Sequence, residues 1–318
     1  MTTRRQALSL LAASAMLPLA PRIAFPAAAF SQVANSGFYR FMLGDLEITA
    51  ISDGTMPLPL AKIYQDEAED KLQQELDANF LGTKPHVSIN AFLINDGKRL
   101  VLVDAGTGTL FGPVAGKLIS HLANAGYQPP QIDAIVLTHI HADHSGGLTV
   151  DGIPQYPNAD IHVAESEYDF WINRSARPKQ LQELEADFTR LKASLDPYIK
   201  ADRIRLFKEN TPPLPGFDSI PRPGHTPGHS SIVISSKGQK LVIWGDIVHG
   251  DYIQFDDPDV YVTFDVDGHE AVKTRAIALE EAAEQKYLVA GAHIPFPGIG
   301  HVVRDETMYG FIPLNYAE

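Results

Sequence analysis

The sequence predicts an α/β fold in a single domain. Short apolar, β-branched runs recur along the chain, segments with helical spacing lie between them, and 318 residues with 44% hydrophobic side chains suffice for one large core.

The first 36 residues stand apart from that domain. Arg4 and Arg5 precede an uncharged run over 6–20, and Ala27-Ala28-Ala29 offers a small-residue cleavage site. Pro18, Pro21 and Pro26 interrupt the segment, which falls short of the ~20 apolar residues a membrane span needs. We expect an export signal over 1–29, with paired arginines resembling the twin-arginine type, a tether over 30–36, a domain over 37–318, and a periplasmic location.

Within the domain, 91–94, 100–103, 134–137, 161–163, 231–234 and 241–244 read as strands. Helical spacing is expected over 113–125, 165–173, 181–195 and 268–285, each with one face to bury. The stretch 210–228 is rich in Pro and Gly but carries a His motif, so it reads as a functional loop.

Composition narrows the chemistry. With no cysteine there is no disulfide and no thiolate metal site, so any metal must take nitrogen and oxygen ligands. The formal charge is −13; without Arg4, Arg5 and Arg22 the chain has 23 basic and 39 acidic residues, a net −16. Such a surface repels nucleic acid and anionic membranes and suits a neutral small molecule.

The most informative segment is Thr138-His139-Ile140-His141-Ala142-Asp143-His144-Ser145-Gly146-Gly147, directly after the apolar run 134–137. His139 and His141, at i and i+2 in extended chain, point the same way toward one metal, and Asp143 and His144 turn toward a second. Gly146 and Gly147 give the loop freedom to enter the next element.

His139-x-His141-x-Asp143-His144 resembles the signature of the metallo-β-lactamase superfamily, and the remaining ligands follow in order. His225 lies in Pro223-Gly224-His225-Thr226-Pro227-Gly228-His229, Asp246 ends the run 241–245, and His293 lies in Gly291-Ala292-His293. The resemblance covers essentially the whole domain. It implies an αββα sandwich with one metal on His139, His141 and His225, another on Asp143, His144 and His293, and Asp246 bridging both. Zinc is the first choice; Mn, Co and Fe also suit the oxygen-rich second position. Asp143 and Asp246 are expected to be catalytic as well as ligating, the chemistry being attack by a metal-activated water. Asp104, in a turn where Ala105 replaces the family's usual Thr, is expected to orient a ligand histidine, with a turn-capping role as the alternative. His229 reads as a hydrogen-bonding residue of its loop; His86, His121, His162 and His269 have no motif context.

Five stretches resemble a narrower group, the methyl parathion hydrolases and dihydrocoumarin-type lactonases: 38–45, 110–113, 254–258, 296–301 and 312–316. That resemblance implies aromatics lining the substrate mouth, here Phe111, Trp171 and Phe188, and dimers in some members. His249 stands where the parathion hydrolases carry an aliphatic residue, and Phe264 where they carry leucine. A narrower pocket with a polar His suits a flat lactone better than a bulky phosphotriester. The expectation is a lactonase favouring aryl lactones, with His249 and Phe264 contacting substrate and organophosphate hydrolysis as a side reaction. The alternatives are a phosphotriesterase, an acyl-homoserine lactonase and, from another class, a non-haem iron oxidoreductase on the same fold.

Overall fold

The computed structural model describes residues 30–31, 33–173, 185–306 and 308–316. The expected export signal and the first four residues of the expected helix 181–195 lie outside them. The main compact unit is Ser36–Glu318. Among the described residues no helix is long and apolar enough to cross a membrane.

Two sheets form the centre, each with its strands in chain order. The first has seven: Phe38–Leu43, Leu46–Pro57, His86–Asn95, Leu100–Val103, Ala134–Val136, Asp160–Ala164 and Ile204–Phe207. The second has six: Phe217–Pro221, Ser230–Ser236, Gln239–Gly245, Leu288–Gly291, Ile299–Asp305 and Met308–Pro313. The first sheet begins antiparallel and turns parallel from Leu100–Val103 onward, whereas the second is antiparallel except where Gln239–Gly245 meets Leu288–Gly291.

Alternation along the strands assigns the layers, because successive side chains leave opposite faces. Val101 and Val103 join Ile232, Ile234, Leu241 and Ile243 in the core between the sheets. Leu102 faces the other way, toward Leu122, Leu191 and Leu195 of the helices outside the first sheet. Val233 and Val242 face outward onto Ala278, Leu279 and Ala282 of the helix Gly268–Gln285. The result is an αββα sandwich. Its central strands are covered on both faces, which is why they read as unbroken apolar runs.

Two helix expectations need correction. The helix expected over 113–125 is a 3-10 turn, Gly112–Val114, followed by a helix only over Leu118–Asn124. Gly116, between the two pieces, takes positive φ, which an α-helix does not accommodate in its interior. The helix expected to end at 195 runs over Glu185–Lys200 and through Pro197. Its apolar stripe of Phe188, Leu191, Leu195 and Tyr198 keeps helical spacing and stays buried.

A candidate dimetal centre

The histidine and aspartate side chains converge because the strands deliver them to one edge of the sandwich. His139 follows the strand Ala134–Val136, Asp104 follows Leu100–Val103, Asp246 follows Gln239–Gly245, and His293 follows Leu288–Gly291. In open α/β sheets the crevice beyond the carboxyl ends of parallel strands is where ligands bind. Gly245 is required at its corner: its φ is +61°, and a Cβ there would lie 2.5 Å from His229 Nε2.

Two donor groups abut at this edge. His139 Nε2 lies 3.0 Å from His141 Nδ1, which lies 2.9 Å from His225 Nε2. Asp246 Oδ2 is 3.2 Å from His225 Nε2 and 3.8 Å from His139 Nε2. In the second group Asp143 Oδ2 is 3.7 Å from His144 Nε2 and 3.4 Å from His293 Nε2. Asp246 spans the two, with Oδ1 3.1 Å from His144 Nε2 and Oδ2 3.0 Å from His293 Nε2.

This donor set fits metal ions better than it fits itself. The outer ring nitrogens are committed: His225 Nδ1 donates to Asp265 Oδ1 at 2.6 Å, His144 Nδ1 to Asp104 Oδ2 at 2.8 Å and His293 Nδ1 to the Ser88 carbonyl at 2.8 Å. Each of those imidazoles therefore turns a lone pair on Nε2 toward the centre. His144 Nε2 and Asp246 Oδ1 stand 3.1 Å apart, both buried and neither with a hydrogen-bond partner. A tetrahedral ion with bonds of ~2.0–2.1 Å wants donors roughly 3.3 Å apart, which these spacings bracket. Two divalent cations satisfy the facing lone pairs and neutralise the carboxylates together.

Charge differs across the centre. Burial, reinforced by His144 and His225 respectively, holds His139 and His141 well below the ordinary imidazole value. Burial also opposes protonation of His144 and His293, but Asp246 and Asp143 outweigh it and raise both. His225 rises to about 9 against its burial because Asp246 and Asp265 flank it. Burial works against the Asp246 charge as well; His144, His293 and His139 nevertheless hold its carboxyl well below the usual range.

The centre floors a cavity of about 520 Å³. His141, Asp143, His225, Asp246, His249 and His293 make the floor, and Met56, Leu58, Val87, Phe111, Trp171 and Phe264 contribute apolar walls. The Trp171 ring stands edge-on to His141 at 5.3 Å, and Phe264 lies 5.4 Å from the His249 ring. His249 is buried with neither ring nitrogen hydrogen-bonded; its Nε2 is 3.4 Å from Asp246 Oδ2, and burial holds it below the usual value and hence neutral.

Phe188, expected at the substrate mouth, is not a wall of this cavity. It lies in the core behind Trp171, 4.8 Å ring to ring, because its helix turns that stripe inward. Asp104 fixes His144 and also accepts from Thr138 N and Oγ1, so it orients the histidine and braces the strand end together. His229 accepts from Asp246 N at 3.0 Å, and burial depresses it to about 3. His86, His121 and His162 bond Thr55, Ser52 and Pro213 away from the centre.

Sequence reasoning missed Asp265, Ser88 and Glu167. Asp265 binds His225 from a loop 40 residues away, Ser88 acts only through its backbone carbonyl, and Glu167 is an ordinary-looking acid in a helix. Only the acidic run Glu165-Ser166-Glu167 beside an apolar strand hinted that a carboxylate turns inward.

An αββα sandwich carrying a double His/Asp donor group at its strand ends, on the floor of an apolar cavity, defines a metal-dependent hydrolase with two divalent ions. The chain belongs to the metallo-beta-lactamase superfamily, whose family model matches residues 85–293. Two solved structures resemble it over nearly its whole length. One, hydrolase AbOPH of the beta lactamase superfamily, is 36% identical with a TM-score of 0.84, covering 91% of this chain and 100% of that one. The other, AidC, a dizinc quorum-quenching lactonase in complex with a product, is 29% identical with a TM-score of 0.80, covering 89% and 99%. The N-acyl homoserine lactonase AiiA of Bacillus thuringiensis subsp. kurstaki is 24% identical over 127 residues. That match spans 40% of this chain and 42% of the relative, less than half the length of either.

Proposed function

We propose that this protein opens lactones bearing an apolar group, aryl lactones such as dihydrocoumarin first, and that zinc is its metal. The observation that carries this reading is the floor itself: the seven expected metal donors converge, with His249 grouped beside Asp246 and His293 and neither of its ring nitrogens hydrogen-bonded, beneath walls that are largely apolar but include Arg190 and Thr263. Two bound divalent cations supply a water deprotonated near neutral pH and Lewis-acid polarisation of the carbonyl.

The chain's own residues do the rest. Phe111, Trp171 and Phe264 hold the apolar group and exclude bulk water. His249, neutral and backed by Gln254 Oε1 on its backbone N–H, donates to the substrate carbonyl or the leaving ring oxygen. Asp265, Asp104 and the Ser88 carbonyl orient the ligand histidines, and Asp246 and Asp143 balance the cations' charge. Among the described residues lining the cavity there is no lysine or tyrosine to protonate a leaving alkoxide. A phenolate needs little such help, which favours the aryl lactone. The likeness to AidC supports a second reading, in which the apolar group is the acyl chain of an N-acyl homoserine lactone.

The test is a substrate panel on metal-defined protein. We expect a higher kcat/KM for dihydrocoumarin than for acyl-homoserine lactones or methyl parathion, loss of turnover on chelation, and loss in His141→Ala and Asp246→Asn. A faster triester reaction would reverse the assignment; turnover surviving metal removal would end it; a red-brown, iron-only protein inert on lactones would move it to oxidoreductase chemistry. His249→Leu should lower lactone turnover and raise triester turnover, and an unchanged ratio removes His249 from specificity. The Arg4-Arg5 leader supports a periplasmic location, checked by fractionation and N-terminal sequencing of the mature chain.

A further inference from the structure

The buried carboxylate of Glu167 has no place in the chemistry above, yet it is fully excluded from solvent. Its Oε1 accepts from Ile140 N at 2.7 Å and from Trp171 Nε1 at 2.7 Å. Its Oε2 accepts from Thr226 Oγ1 at 2.7 Å and from Gly228 N at 3.0 Å. No cation lies within ion-pair distance of it among the described residues. Ile140 is the residue between His139 and His141, Thr226 and Gly228 follow His225, and Trp171 is a cavity wall. One carboxylate therefore ties together the two loops that carry the first three-histidine group, and pins the wall above it.

We propose that Glu167 is a positioning residue for the His139/His141/His225 metal site, setting the distance between its two loops and thereby its metal affinity. Burial raises the carboxyl above its ordinary value, against the pull of its four hydrogen bonds. What a carboxylate offers, and a neutral side chain does not, is two oxygens of four-donor capacity, which this site fills from three separate segments. The approach is close: a Cβ on Gly228 would lie 2.2 Å from Glu167 N, so the His225 loop sits directly on the start of the helix Glu165–Trp171. The second group has no part in this knot. His144 and His293 are braced instead by Asp104 and the Ser88 carbonyl.

The inference rests on the dimetal reading of the centre but not on any substrate, so a failed lactone assay leaves it standing. The experiment is a two-step Co(II) titration of apo-protein, followed by its d–d absorption and by competition with a chromophoric chelator. Glu167→Gln keeps the shape but turns an NH2 toward a backbone donor, and Thr226→Val removes one bond of the four while sparing the fold. The expected result is about 10–100-fold weaker binding at one of the two sites in Glu167→Gln. Thr226→Val should show a smaller loss at the same site, and the other site should keep its affinity in both variants. In His144→Ala, which removes the other site, the remaining site should be the one that Glu167→Gln weakens. Equal weakening of both sites, or an unchanged titration in folded variants of lowered melting temperature, would show Glu167 to be structural only and overturn the proposal. If Glu167→Gln does not fold, Thr226→Val decides on the same criterion.

Discussion

Glu167 and Asp53 are the same chemical device used in two regions. Both are buried carboxylates that accept four hydrogen bonds, and burial raises both above their ordinary values. Asp53 takes its donors from Thr107 N and Oγ1, Gly116 N and Leu118 N, so it ties the bent strand Leu46–Pro57 to the loop carrying Phe111. Glu167 takes its donors from the histidine loops and Trp171. The knot has one physics, and what it does for function depends on which segments supply the donors.

Four changes break or sharpen that comparison. Gly228→Ala should be the most damaging: a methyl 2.2 Å from Glu167 N forces the loop off its helix, costing about 3 kcal/mol or more in denaturant unfolding. A variant of native stability would show the close approach to be relaxed in solution. Asp53→Asn leaves at least one donor facing an NH2 and should cost about 1–3 kcal/mol, without changing the ratio of the two metal affinities. Should that ratio move, the two knots are not separable. Trp171→Phe deletes one bond to Glu167, worth about 1 kcal/mol, and should raise KM for an aryl lactone more than it lowers kcat. The reverse split would place Trp171 in the chemical step.

The smallest effect is in pH. Because the folded Asp53 carboxyl is raised above its ordinary 3.8, the folded state holds the proton more tightly than the unfolded chain. That contribution to stability is complete below the unfolded value and fades as pH rises through the folded one. The wild-type margin over Asp53→Asn should therefore narrow as pH rises from about 4, read from urea midpoints. A margin that widens would mean that the four hydrogen bonds outweigh burial.

Legibility in the sequence followed range. The segment from His139 to His144 could be read because four donors fall within six residues behind an apolar strand, and local backbone geometry alone aims His139 and His141 together. Most central strands are legible because covered sheets leave continuous apolar runs; Leu288–Gly291, central in the second sheet, is not, since its apolar run is only Leu-Val-Ala before the glycine. The strands Leu46–Pro57, Ile299–Asp305 and Met308–Pro313 were not read, since they lie toward sheet edges and mix polar with apolar side chains. Phe188 lies one layer further in than the sequence expectation: its spacing shows an apolar stripe, but only packing sets it against Trp171 in the core rather than in the cavity wall.

The sequence by itself determined the α/β class, the nitrogen and oxygen character of any metal site and the donors of the segment His139–His144, because these follow from composition, periodicity and spacing along a few residues, while His225, Asp246 and His293 came from the resemblance to the metallo-β-lactamase signature. The tertiary structure alone decided which atoms face the ions and what holds them there. Asp265 reaches His225, Ser88 reaches His293, and Glu167 joins loops more than 80 residues apart. The Ser88 and Glu167 contacts depend on two sheets closing against one another, and a hydrogen bond acts over about 3 Å whatever the length of chain between its partners.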